Sequence, residues 1–131
     1  MAPVLLDTTA LIDVLRNRPD AARRLRDLRS AGDTPYVCAV SVEEVVRGLR
    51  APEVAAAEAL FRGLRCVPLG EREGWQAGEW RRDHGHRGRT LPQSDCLIAA
   101  AATSIRARLV TGNPKDFPFV GLTVEHWPVG P

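Results

Sequence analysis

Val4-Leu5-Leu6-Asp7-Thr8-Thr9-Ala10-Leu11-Ile12 begins as one kind of structure and continues as another. Pro3 to Leu6 has the apolar, branched composition of a short buried strand, and Asp7 stops it. Thr8 and Thr9 carry hydroxyls that can cap a helix. Leu11, Ile12 and Leu15 then recur at helical spacing. A strand passing directly into a helix is the opening half of a strand–helix–strand unit.

The same alternation continues outward. Pro19 opens a second helix, Asp20 to Arg29, which the turn Ala31-Gly32-Asp33 ends. A strand is expected over Tyr36 to Val40, then a helix capped by Ser41 and running to about Leu49. Pro52 starts an alanine-rich helix reaching Leu64. Cys66 to Leu69 reads as a short peripheral strand, because it contains Pro68. Glu71 to Asp83 reads as a helix with Trp75 and Trp80 as packing residues, and His84 to Thr90 as a polar loop. A strongly apolar helix follows from Ser94 to Ile105, then a strand Arg108 to Thr111, a turn at Gly112-Asn113-Pro114, and a last strand Leu122 to His126. Strands alternating with helices imply an α/β/α sandwich with a mainly parallel sheet, joined by right-handed crossovers. A length of 131 residues suits a single domain, 1–131.

Composition agrees. Apolar residues make up 44% of the chain and aromatic residues 5%, so the core must be aliphatic and alanine-rich, as when helices cover a sheet. Net charge is only +2, which argues weakly for a polyanionic partner; Lys115 is the only lysine among 18 basic residues. Arginine suits phosphate and base recognition, although arginine bias also follows from coding composition. Cys38, Cys66 and Cys96 form no C-x-x-C pair, and all are read as buried, reduced thiols of a cytoplasmic protein. The run Val4-Leu5-Leu6 is too short for a signal core, and no apolar stretch is long enough to cross a bilayer.

In such a fold, Asp7 ends a strand at the carboxyl edge of the sheet. The first turn of the helix after the second strand, with Glu43 and Glu44, starts at the same edge. Asp95 opens a helix antiparallel to the strand that follows it, and Asn113 and Asp116 follow that strand. All these groups therefore converge on the crevice where open α/β sheets bind ligands. Crowded carboxylates repel one another unless a cation joins them. Oxygen donors alone favour Mg²⁺ or Mn²⁺ over Zn²⁺, and such ions activate water against phosphodiesters. Each acid has an ordinary reading when taken alone. Asp7 and Asp116 suit turn or cap positions, Glu44 has capping-box spacing from Ser41, and Asp95 suits a helix dipole.

These segments resemble the signature of PIN-domain ribonucleases, especially the VapC-like toxins of bacterial toxin–antitoxin pairs. The opening run is similar to the family's strand followed by Asp-Thr/Ser. Ser41-Val42-Glu43-Glu44-Val45-Val46-Arg47-Gly48 resembles a glutamate four positions before a glycine, which selects Glu44. Gln93-Ser94-Asp95-Cys96-Leu97-Ile98-Ala99-Ala100 resembles Asp-x-Leu-Ile-Ala-Ala, and Thr111-Gly112-Asn113-Pro114-Lys115-Asp116-Phe117 resembles the closing Thr-x-Asn-x-x-Asp-Phe.

The resemblance implies Mg²⁺-dependent RNA cleavage, with Asp7 and Asp95 as leading metal ligands and Glu44 completing the cluster. Many members carry an aspartate where Asn113 stands, so Asn113 and Asp116 both remain candidates for the fourth point. A cognate VapB-like antitoxin that places a basic side chain in the acidic site is implied too, as is a homodimer. Arg81, Arg82, Arg87 and Arg89 are read as a phosphate-binding rim, with a solvated helix end as the alternative, and Thr8 as a substrate contact. A solvated or antitoxin-facing surface suits Arg23, Arg24, Arg26 and Arg29. A housekeeping RNA-processing nuclease and a non-catalytic PIN-like interaction module are the competing readings.

Overall fold

A computed structural model describes residues 2–130. The elements run β1 (Pro3–Leu6), α1 (Thr8–Leu15), α2 (Pro19–Ser30), β2 (Thr34–Cys38), α3 (Ala39–Arg47), α4 (Val54–Arg62), β3 (Arg65–Val67), α5 (Glu71–His86), α6 (Gln93–Ser104), β4 (Arg108–Thr111) and β5 (Val124–His126). Short 3₁₀ turns at Ala51–Glu53 and Pro114–Asp116 complete the order.

Every strand pairing is parallel, in the order β3-β2-β1-β4-β5. Leu5 lies opposite Tyr36 on one side and Leu109 on the other. Successive side chains of a strand face opposite sides of the sheet, and β1 shows it. Val4 and Leu6 join Leu11, Leu25, Leu28, Val45 and Val110 in one core. Leu5 joins Leu109, Ala77, Cys96, Ile98, Ala99 and Ala102 in the other. Helices therefore cover both faces, as the alternation of elements predicts. Each fully buried leucine contributes about 1.5–3 kcal/mol. On the second face Ala99, Ala100, Ala101 and Ala102 of α6 are all buried in the core. No helix of the described residues is long and apolar enough to cross a membrane.

Several boundaries differ from the sequence expectation. The strand expected over Tyr36 to Val40 lies two residues earlier, because the Thr34 amide bonds the Ala2 carbonyl and Thr34 pairs with Pro3. Ala39 and Val40 open α3, and Cys38 rather than Ser41 stands at its cap position. Ser41 is instead fully buried inside the helix, so Glu44 takes no capping-box role with it. The cap of α1 is Asp7, not Thr8 or Thr9.

Further along, α5 continues through His84 and His86, which were expected in a loop. Its last turns are anchored by Phe119, whose ring centroid is 4.4 Å from that of Trp80 and 6.1 Å from that of His84. Trp75 is 71% exposed and does not pack in the core, because Ala77 and Trp80 form the inward side of the helix. Cys66 is exposed as well: it alternates with buried Val67 on the edge strand β3, whereas Cys38 and Cys96 are buried.

Candidate active site

Strand order reverses between β1 and β4. The chain builds outward from β1 to β3, then returns to lay β4 on the other side of β1. Ligands of open α/β sheets gather at such a point, outside the carboxyl ends of the strands. Asp7 stands there, 4% exposed, with its amide bonded to the Val110 carbonyl at 3.0 Å. Its Oδ1 accepts from the Ala10 amide at 3.0 Å and the Thr9 hydroxyl at 2.7 Å, while Oδ2 accepts from the hydroxyl of Thr111. Burial pushes the Asp7 carboxyl above its ordinary range, and hydrogen bonds from Thr111, Thr9 and Ala10 pull it back.

The other acids face this point from three further elements. Glu44 is half-buried on α3, and its Oε1 accepts from the Thr8 hydroxyl at 2.6 Å. Thr8 also lies 3.2 Å from the Ser41 hydroxyl, so the residue expected as a substrate contact is engaged in holding Glu44. Glu43 is exposed and pairs with Arg47. Asp95, in the first turn of α6, has its carboxyl pushed up to about 6. Burial is the main cause, followed by the negative charges of Asp116, Glu44 and Asp7. Asn113 precedes and Asp116 ends the turn Pro114–Asp116 after β4, and both residues are exposed.

The donors are all oxygens, which suits a hard divalent ion. Mutual repulsion raises the proton affinity of Asp95, and a cation would relieve the same repulsion. Among the described residues, no three Asp, Glu, His or Cys side chains already close around one point. The mouth is thus an acidic cluster that an ion would have to draw together, rather than a finished cage.

The PIN-domain model matches residues 4–120. The chain belongs to the PIN-domain family. Ribonuclease VapC19 of Mycobacterium tuberculosis is 33% identical over 114 residues, covering 87% of this chain and 91% of the relative. Ribonuclease VapC1 of Haemophilus influenzae is 27% identical over 119 residues, covering 86% of this chain and 88% of its own. Among solved structures, VapBC-1 of nontypeable Haemophilus influenzae superposes with a TM-score of 0.81 at 26% identity, covering 95% of this chain and 98% of that one. The VapBC2 structure of Rickettsia felis, bound to a promoter DNA fragment, shares the fold with a TM-score of 0.83 at 21% identity, covering 95% and 98%.

Around this PIN-domain mouth the arginines divide into two pairs. Arg81 donates from Nε to the Leu91 carbonyl at 3.1 Å, at the base of the segment leading to Asp95. Arg89 donates to the Lys115 carbonyl at 3.0 Å and so ties that segment to the turn bearing Asp116. Arg82 pairs with Asp83, and Arg87 donates to the Asp83 carbonyl, so both are engaged on α5 itself. Arg29 of α2 donates to the Gly63 carbonyl and lies with the opposite group of helices.

Sequence reasoning missed the roles of Thr9 and Thr111, which it read as a helix cap and a strand end. Thr111 is completely buried, yet its hydroxyl meets Asp7 across 104 residues of chain. A hydroxyl residue directly after the apolar pair Leu109-Val110, two positions before Asn113, was the available signal.

Proposed function

We propose that this PIN-domain chain is a divalent-cation-dependent endoribonuclease and the toxin of a toxin–antitoxin pair. One observation carries the reading. Four separate elements present Asp7, Glu44, Asp95 and Asp116 to one mouth, where burial first, and then the charges of Asp116, Glu44 and Asp7, push the Asp95 carboxyl up to about 6. The ribonuclease names of relatives spanning most of the chain supply the reaction class. The toxin–antitoxin assemblies among its structural neighbours supply the partner class.

In this reading Asp7, Glu44 and Asp95 hold Mg²⁺, or Mn²⁺ in its place, and Asn113 or Asp116 provides the fourth point. The bound ion would neutralise charge at a scissile phosphate and make water a better nucleophile. The protein's own contribution is positional. Thr9, Thr111 and the Ala10 amide orient Asp7, and Thr8 orients Glu44. Arg81 and Arg89 stand where an RNA backbone entering the mouth would pass, and guanidinium groups counter the repulsion between phosphate and carboxylates. Arg82 and Arg87 extend that rim along α5.

The partner would be an antitoxin that blocks the mouth with a basic side chain, because a guanidinium can pair the carboxylates that otherwise need a cation. A homodimer and a cytoplasmic setting, where RNA is available, belong to the same reading. The test is cleavage of RNA in Mg²⁺. Cutting should stop with EDTA and fall by about 100-fold or more in Asp95→Asn, since one member of a shared ligand set is lost. Cleavage that persists through both treatments defeats the reading.

A further inference from the structure

Two hydroxyls at the mouth form a closed ring that the roles above do not fully use. Thr9 Oγ donates to Asp7 Oδ1 at 2.7 Å and accepts the Gly112 amide at 2.8 Å. Thr111 Oγ donates to Asp7 Oδ2 and accepts the Asn113 amide at 3.0 Å. Each hydroxyl thus uses its single proton on Asp7 and a lone pair on the loop. Consecutive amides, Gly112 and Asn113, are pinned to opposite oxygens of one buried carboxylate.

The loop is also pressed from outside. A Cβ at Gly112 would stand 2.6 Å from Val129 Cγ2 and 3.1 Å from Thr9 Oγ, so any larger residue would have to displace one of these side chains. The segment carrying Val129 is itself tied down. The Trp127 amide bonds the Thr111 carbonyl at 2.8 Å, and the Gly130 amide bonds Asp13 Oδ2 at 3.0 Å.

We infer that Thr9 is a positioning residue for the nuclease reaction: its hydroxyl clamps the Gly112 amide to Asp7, with Val129 as the buttress, and thereby sets where the next residue, Asn113, stands relative to the metal ligands. This inference rests on the nuclease reading above. Thr9 has no contact with RNA to make in this role. It acts through Asp7 and Asn113, much as partners behind metal ligands orient those ligands.

Thr9→Val keeps the branched shape and removes both hydrogen bonds, whereas Thr9→Ser keeps the hydroxyl. In the full chain with a defined RNA, Thr9→Val should lower kcat about 10- to 100-fold and leave KM within about threefold, the range for a lost ligand-orienting partner. Mn²⁺ titrated alone by calorimetry should bind about 10-fold more weakly. Amide hydrogen exchange at Gly112 should accelerate, and Thr9→Ser should recover most of all three properties.

Gly112→Ala is the second variant, because it pushes the loop off Thr9 from the other side; it should lose kcat likewise and regain part of it when combined with Val129→Ala. Wild-type kcat together with wild-type Mn²⁺ affinity in a folded Thr9→Val protein overturns the clamp, as does a folded Thr9→Ser protein no better than Thr9→Val. If the wild-type chain cuts no RNA, the nuclease reading fails, while Mn²⁺ affinity and Gly112 exchange still decide whether Thr9 holds the loop.

Discussion

Under the proposed function, Asp95 would serve the site at the expense of the fold. Its carboxyl is held at about 6, against an ordinary 3.8, first by burial and then by Asp116, Glu44 and Asp7. A carboxyl raised in the folded state binds its proton more tightly there than in the unfolded chain. Its protonated form therefore favours folding, and that advantage is complete below about pH 4 and lost as pH rises through about 6. Without divalent ion, Asp95→Asn should be more stable than wild type at pH 7.5. The gain should be about 1–2 kcal/mol once the screening of a half-exposed group is allowed for. It should vanish below about pH 4. Urea unfolding in EDTA at the two pH values checks this, and equal stability at pH 7.5 would refute it. The sign is opposite to that of an ordinary salt-bridged carboxylate.

At the scale of elements, the regular pieces were legible wherever pattern and packing agree. Val4-Leu5-Leu6 and the alanine-rich stretch of α6 lie where their periodicity puts them, and so Asp7 and Asp95 do too. Legibility failed where tertiary contacts override local preference. Val37 to Val40 looks like strand throughout, yet Ala39 and Val40 are helical because pairing with β1 begins early, at Thr34. His84-Gly85-His86 looks like loop, yet packing of Trp80 and His84 on Phe119 holds it as helix. The threonine ring at the mouth was invisible for a different reason, since it joins residues about a hundred positions apart. The glycines of α5 offer a test of the helix as observed. Gly78 sits mid-helix, and a Cβ there would meet no atom within 4 Å. Gly78→Ala should therefore stabilise the protein by about 0.5–1 kcal/mol through the lost backbone entropy of glycine, read as a higher urea midpoint at unchanged slope.

Across the whole molecule, the distribution of charge matters more than its sum. The net charge is only +2, but the topology collects carboxylates from β1, α3, α6 and the turn after β4 at one edge of the sheet. Arg81 and Arg89 stand beside that edge without ion-pairing to its acids, since their bonds go to the carbonyls of Leu91 and Lys115. An RNA strand approaching the mouth without divalent ion meets attraction at the rim and repulsion at the centre. Asp7→Asn/Asp95→Asn removes two of the repelling charges while leaving the rim unchanged. In EDTA at low ionic strength, the double variant should bind a short single-stranded RNA more tightly than wild type, by about 10-fold, a coupling of about 1.4 kcal/mol for partly screened charges. Fluorescence anisotropy across a salt series gives a second, independent sign. Screening weakens the central repulsion as well as the rim attraction, so the gap between the two proteins should narrow as salt rises towards 0.5 M. Equal affinities at every salt concentration would mean that RNA does not pass over the acidic edge at all. The convergence of acids would then serve some other ligand.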